Sequence, residues 1–251
     1  ITADNPILEG EFPLDGSRLE GLYPPIVTGP AFAIRKKATK IFTLDEYKAR
    51  GIIRPLNREL LASISARHVE DTILFDHPVD ALRAAIRSRK NVLVVGGTGS
   101  GKTTLLNALS CEIPATERIV TIEDSAELRF TEHPHVVRME ARKTNAEGVG
   151  EVTIRDLVRN ALRMRPDRII VGECRGAETL EMLQAMNTGH DGSLSTIHAN
   201  SPADALLRLE NMLNMGANQM SSSLIRRQLA SALDLLVQVE RDGRGMRRIT
   251  A

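Results

Sequence analysis

Short apolar runs and amphipathic stretches alternate along most of this chain. Asn91–Val95, Arg118–Ile122, Arg168–Val171 and residues 193–197 are brief and dense in β-branched residues, the pattern of strands buried on both faces. Between them lie stretches whose apolar positions recur every three or four residues. Val79–Ser88, residues 102–110, 153–164, 177–187, a segment from Pro202 and residues 221–234 are predicted as helices. In 153–164 the apolar face is Ile154, Leu157, Val158, Ala161 and Leu162; Thr153 and Asp156 have capping-box spacing, and Pro166 marks the stop. Ser201 before Pro202 reads as an N-cap followed by a first-turn proline. Leu235–Arg241 reads as a last strand, with Asp242-Gly243 turning a terminal hairpin. Strands that alternate with helices imply an α/β architecture with a doubly wound, mostly parallel sheet.

The first part of the chain reads differently. Residues 1–34 are acidic and broken by Pro6, Pro13, Pro24, Pro25 and Pro30, with Ala31-Phe32-Ala33-Ile34 as a short strand. Between Arg35 and Arg58 the charge turns basic, and residues 57–74 have one apolar face, as a helix would. Asp76-His77-Pro78 reads as a linker. The expected division is therefore a smaller α+β domain over 1–76 and a larger α/β domain over 77–251. The chain starts at Ile1, and the smaller domain is expected to be only the C-terminal part of a longer one.

Composition narrows the class without naming an activity. Among 251 residues, 33 are basic and 32 acidic, a net charge of +1, which argues against a generally basic nucleic-acid-coating protein. Aromatic residues make up only 3%, and there is no tryptophan, so bases would find few stacking platforms; direct DNA binding is not expected. Two cysteines, Cys111 and Cys174, cannot build a disulfide framework, and the reducing cytosol is the expected setting. No apolar run approaches the length of a membrane span.

The chemistry starts at Gly96. Gly96-Gly97-Thr98-Gly99-Ser100-Gly101-Lys102-Thr103 fits the G-x-x-x-x-G-K-[ST] phosphate loop in full, between a buried strand and a helix. The glycines let backbone N–H groups turn inward onto anionic oxygens, and the helix N-terminus adds its positive end. Lys102 is expected on the β- and γ-phosphates, and the Thr103 hydroxyl on Mg²⁺. With Thr104, residues Gly97 to Thr104 are the candidate nucleotide site, with ATP and Mg²⁺ as cofactors.

In open α/β sheets ligands sit at the carboxyl ends of strands. Ile169-Ile170-Val171-Gly172-Glu173 is a Walker-B-like strand with glycine where aspartate often stands, making Glu173 the candidate to orient or deprotonate a water. Glu123 and Asp124 end another strand, and either acid can hold a metal-bound water. Mg²⁺ is thus assigned to Thr103, with Glu173 or Glu123 through water. His198 ends the strand Ser195-Thr196-Ile197 and is the candidate for reading the γ-phosphate. Arg159 and Arg163 sit among several arginines in and after the helix 153–164; they are either a solvated face or cations for the transferring phosphoryl group. His133-Pro134-His135 has no third ligand at metal spacing.

Taken together, Gly96–Thr104, Thr121-Ile122-Glu123-Asp124, the stretch from Arg163 to Glu173 with Arg175, and Ser195–Asn200 resemble the secretion ATPases of the type II/type IV superfamily. The resemblance is closest to Trb-type conjugal transfer ATPases, with Tad/Cpa-type pilus ATPases next. It implies a RecA-like P-loop ATPase that powers macromolecular transfer, either conjugative DNA and protein transfer or pilus assembly. It also implies a homohexameric ring in the cytoplasm, docked on the inner membrane beside the other proteins of the machinery. Glu173 is carried over as catalytic glutamate, Glu123 as Asp-box acid, His198 as His-box residue, and Arg159 and Arg163 as arginines between Asp box and Walker B. A nucleotide-switched scaffold with little turnover would use the same residues.

Overall fold

The computed structural model describes residues 6–13, 15–36, 40–54, 77–130, 133–144, 149–216, 220–243 and 245–250. The chain divides into two compact units, residues 1–41 and 42–251. In the first, β1 (Ile7–Glu11), β2 (Arg18–Leu22) and β3 (Ala31–Arg35) form an antiparallel three-stranded meander.

The larger unit begins with α1 (Leu44–Ala49), closed at its start by a Thr43–Glu46 capping box. The compact units thus part after residue 41, while the division expected at residue 76 falls at the end of a stretch outside the described residues. Leu44, Tyr47 and Ile53 are buried in the same core as the helices on either side of the phosphate loop strand, and apolar burial assigns a segment to the unit that covers it. The helix expected over 57–74 lies outside the described residues.

The rest follows the alternation read from the sequence: α2 (Pro78–Arg87), β4 (Val92–Gly96), α3 (Lys102–Ser110), β5 (Ile119–Glu123), β6 (Val136–Glu140) and α4 (Ile154–Ala161). A short 3₁₀ turn (Leu162–Met164) leads to β7 (Arg168–Cys174), α5 (Glu178–Asn187), β8 (Leu194–His198), α6 (Pro202–Gly216), α7 (Ser222–Ala232), β9 (Leu235–Arg241) and β10 (Arg247–Ile249). The predicted caps are present: Thr153 and Asp156 bond reciprocally, and the Ser201 hydroxyl accepts from the Asp204 N–H.

Among the described residues the sheet has seven strands in the order β10-β9-β4-β8-β7-β5-β6, parallel throughout except at β10. Alternation along each strand supplies two cores. Val92 and Val94 face α1, α2 and α3; Leu93 and Val95 face α4, α5, α6 and α7. The strand order places β4, β8, β7 and β5 side by side, so the groups at their C-terminal ends share one edge of the sheet.

Candidate functional site

β4 delivers the chain to the loop through five buried residues, and α3 opens at Lys102. Gly101 caps α3 in the left-handed region, at φ 104°, where a side chain would be strained. A Cβ at Gly97 or Gly99 would meet nothing within 4 Å, so the loop borders open space. The Ser100 hydroxyl is buried without a hydrogen-bond partner, and Lys102 Nζ donates to the Gly97 carbonyl at 3.1 Å. Helix-terminal N–H groups, an unused hydroxyl and an ammonium are the donor set an oligophosphate needs, and the loop fits one. Thr103 and Thr104 follow in the first turn of α3.

Three strand ends lie along the same sheet edge as this loop. His198 is the register partner of Gly96, and its Nδ1 lies 3.4 Å from the Thr98 hydroxyl oxygen. One strand further, the Thr196 hydroxyl donates to the Gly172 carbonyl at 2.8 Å, fastening β8 to β7 just before Glu173. The glycine in the Walker-B-like run has a steric cause. A Cβ on Gly172 would stand 3.0 Å from Cγ of Glu123, which folds across it from β5.

Glu123 and Asp124, adjacent in sequence, are used differently. The Glu123 carboxylate is buried and accepts the N–H groups of Glu127 and Leu128, each at 3.0 Å. Burial pushes its pKa up to about 7, against the pull of those two amides. Its first task is to shape the loop that follows β5. Asn107 of α3 pins the same loop, accepting from the Arg129 N–H at 2.8 Å. Asp124 is exposed and joins Glu173 through Arg175. The Arg175 guanidinium donates to Glu173 Oε2 at 2.7 and 3.0 Å and to Asp124 Oδ2 at 2.6 Å. Burial disfavours its charge, but Glu173, Asp124 and Glu127 together outweigh that, so its pKa lies above the ordinary value. Arg175 leaves Oε1 of Glu173 out of these bonds, on a side chain about one quarter exposed. In the sequence Arg175 is marked only by its place two residues beyond Glu173.

The two arginines expected near phosphate are not brought to the loop within this chain. Arg159 donates to Glu181 of α5 at 2.8 and 3.1 Å, joined by Arg155 at 2.7 Å, in the helix layer across the sheet from α3. Their position is set by packing: α4 lies on α5, and buried Glu181 takes both cations. Arg163 lies in the 3₁₀ turn that leads into the start of β7, at the sheet edge opposite the loop. His133 and His135 are in hydrogen bonds with the Pro114 carbonyl and the Arg118 guanidinium. Among the described residues no three His, Cys, Asp or Glu side chains gather at metal-binding distance.

Comparison with known proteins agrees with this geometry. Residues 52–241 match the type II/IV secretion system protein family. The conjugal transfer protein TrbB of Rhizobium radiobacter is 38% identical over 247 residues, covering 97% of this chain and 66% of that protein. A protein of Mycobacterium tuberculosis (strain ATCC 25618 / H37Rv) that is named for conjugal transfer is 42% identical over 233 residues, 92% of this chain. The chain spans 59% of that relative's length. The crystal structure of the VirB11 ATPase of the Brucella suis type IV secretion system, in complex with sulphate, superposes with a TM-score of 0.64. It is 31% identical, with 100% of this chain and 76% of that one covered. The sheet is that of a P-loop NTPase, and this chain belongs to the type II/IV secretion system protein family.

Proposed function

We propose that the chain is the catalytic part of an Mg²⁺-dependent ATPase that powers type IV secretion or conjugal transfer. The observation that carries this is the convergence, at one sheet edge, of a complete phosphate loop, Glu173 held by Arg175, and His198 beside Thr98. Loop N–H groups, Ser100 and Lys102 bind the phosphate chain of ATP. Bound Mg²⁺ supplies charge neutralisation on the phosphate oxygens, and Thr103 is the protein hydroxyl placed to hold it. Glu173 orients a water and accepts its proton on Oε1 while Arg175 holds Oε2. His198 loses or keeps its Thr98 contact according to what the loop holds.

Arg159 and Arg163 reach no phosphate within one chain, which favours a role at a neighbouring protomer's site. A homohexameric ring supplies such neighbours. Its place is the cytoplasmic face of the inner membrane, with the other proteins of the secretion or conjugation apparatus as partners. No helix among the described residues is long and apolar enough to cross a membrane. The relatives named for conjugal transfer favour that process over pilus assembly.

The test is phosphate release from ATP across a range of protein concentrations. Specific activity is expected to rise with concentration, and Lys102→Ala to lower turnover on the order of a hundredfold or more. Wild-type protein that binds ATP but releases no phosphate at any concentration would replace the motor with a nucleotide-switched scaffold.

A further inference from the structure

The β9–β10 hairpin stands beside the phosphate loop, and its two faces are charged by opposite rules. On one face Arg248 stands opposite Glu240, and its Nε donates to Asp242 at 2.8 Å. On the other face Arg247 stands directly opposite Arg241. Both are exposed, and neither has an acidic partner among the described residues. Like charges directly opposed across a strand pair repel and destabilise the pairing. An anion bridging the pair would relieve that repulsion.

The face points to which anion. Val239 and Ile249, the preceding opposed pair on that side, pack against the core that contains Leu105 and Leu106 of α3. One step of two residues further carries Arg241 and Arg247 out over the N-terminus of that helix. Arg247 confirms the direction: its Cδ lies 2.9 Å, its Nε 3.3 Å and its Cζ 3.8 Å from the position a Cβ on Gly101 would take. Gly101 is the residue that caps the phosphate-loop helix. The charge of Arg247 also reaches Tyr47: burial pushes that hydroxyl up to about 12, and Arg247 opposes the rise in part.

We propose that Arg241 and Arg247 form a cationic clamp that closes on the nucleotide's phosphates from the hairpin side, with Arg247 as the contacting residue and Arg241 reinforcing it. The clamp rests on the ATP-binding reading above. It makes the C-terminal hairpin part of the nucleotide site and ties the last strands of the sheet to whether the site is filled.

The clamp predicts opposite signs for two measurements on one variant. In equilibrium binding of fluorescent ADP with Mg²⁺, Arg247→Ala is expected to weaken affinity about tenfold or more, the scale of a hydrogen bond to a charged group. Arg241→Ala should weaken it less, and Arg247→Lys should recover part of the loss. Arg227→Ala on α7 serves as the neutral control. In thermal unfolding without nucleotide, the same Arg247→Ala should melt at the wild-type temperature or roughly 1–3 °C above it, because a repulsion is gone. A merely structural arginine would lower the melting temperature and the affinity together, and that result overturns the clamp. Arg247→Ala that binds ADP like wild type, while Lys102→Ala does not, overturns the clamp and leaves the ATP-binding reading intact. Folded wild-type protein that binds no ADP overturns both.

Discussion

The two edges of the parallel sheet both carry arginine–carboxylate networks, and they are built for opposite ends. At the edge where the strands start, Arg168 is fully buried. It makes a two-pronged contact with Glu117, at 2.7 and 3.0 Å, and a third bond to the Gly192 carbonyl. Arg89 adds a salt bridge to Glu117, and Asp167 accepts from the Arg118 N–H and from Arg89. Asn91 uses both ends of its amide, accepting from Gly192 and Ser193 and donating to Ala232 and Met186. At the edge where the strands finish, Glu173 and Asp124 share one exposed arginine, and among the described residues the Ser100 hydroxyl has no partner and two arginines face each other without an acid. Saturated charge deep in the fold holds strands and loops together. Charge at the surface with bonding capacity left over is available to something that arrives.

The sharpest way to break the comparison is at Glu173. Glu173→Gln keeps the shape and the Arg175 contact but removes the proton acceptor. ATP hydrolysis is expected to fall 10²- to 10⁴-fold with nucleotide binding retained, read by phosphate release alongside ADP affinity. Unchanged turnover would move the water-activating role elsewhere. At the opposite edge, Arg168→Ala removes both prongs of the buried contact and leaves Glu117 with only the more exposed Arg89 as a partner. Unfolding in denaturant should show a loss of about 3–5 kcal/mol, with nucleotide affinity unaltered in the fraction that folds. A loss of affinity without loss of stability would mean the two edges are not separate in kind.

A smaller effect sharpens the boundary between them. Glu123 stands at the chemical edge but is buried and amide-bound like a residue of the structural one. Its folded pKa of about 7 exceeds the ordinary carboxylate value of 4.5, so between those pH values the folded state holds a proton that the unfolded state has lost. Its contribution to stability is therefore largest below about pH 4.5 and is lost as pH rises toward and through 7. Glu123→Gln, whose amide oxygen can still accept from Glu127 and Leu128, should flatten that part of the stability profile. The gain relative to wild type should grow to at most about 3 kcal/mol by pH 8, measured by denaturant unfolding across the range.

The sequence made the central strands and the loop legible because both obey local rules. Asn91–Val95 is apolar at every position after the first, and the glycine spacing of the loop is a backbone requirement that only a few residue types meet. The Thr153 and Ser201 caps were readable for the same reason. β6 was not. An edge strand only partly buried, with Arg138 and Glu140 on it, lacks the apolar run that marks a central strand. Nor could spacing show that Arg159 belongs to Glu181, because that pairing depends on how α4 lies on α5. The glycine of Gly172-Glu173 was visible as a departure from the usual motif. Its cause, the Glu123 side chain from another strand, is a three-dimensional fact.

The sheet's outer strands say how copies of this protein can meet. An open strand edge invites another chain to extend the sheet, and that reaction has no natural end. Here one outer strand, β10, is three residues long, and the other, β6, places Arg138 and Glu140 among its five residues. Neither offers a long apolar template of unpaired backbone. Self-association is thereby steered away from open-ended fibre growth and toward contacts made by side chains, whose geometry can close on itself.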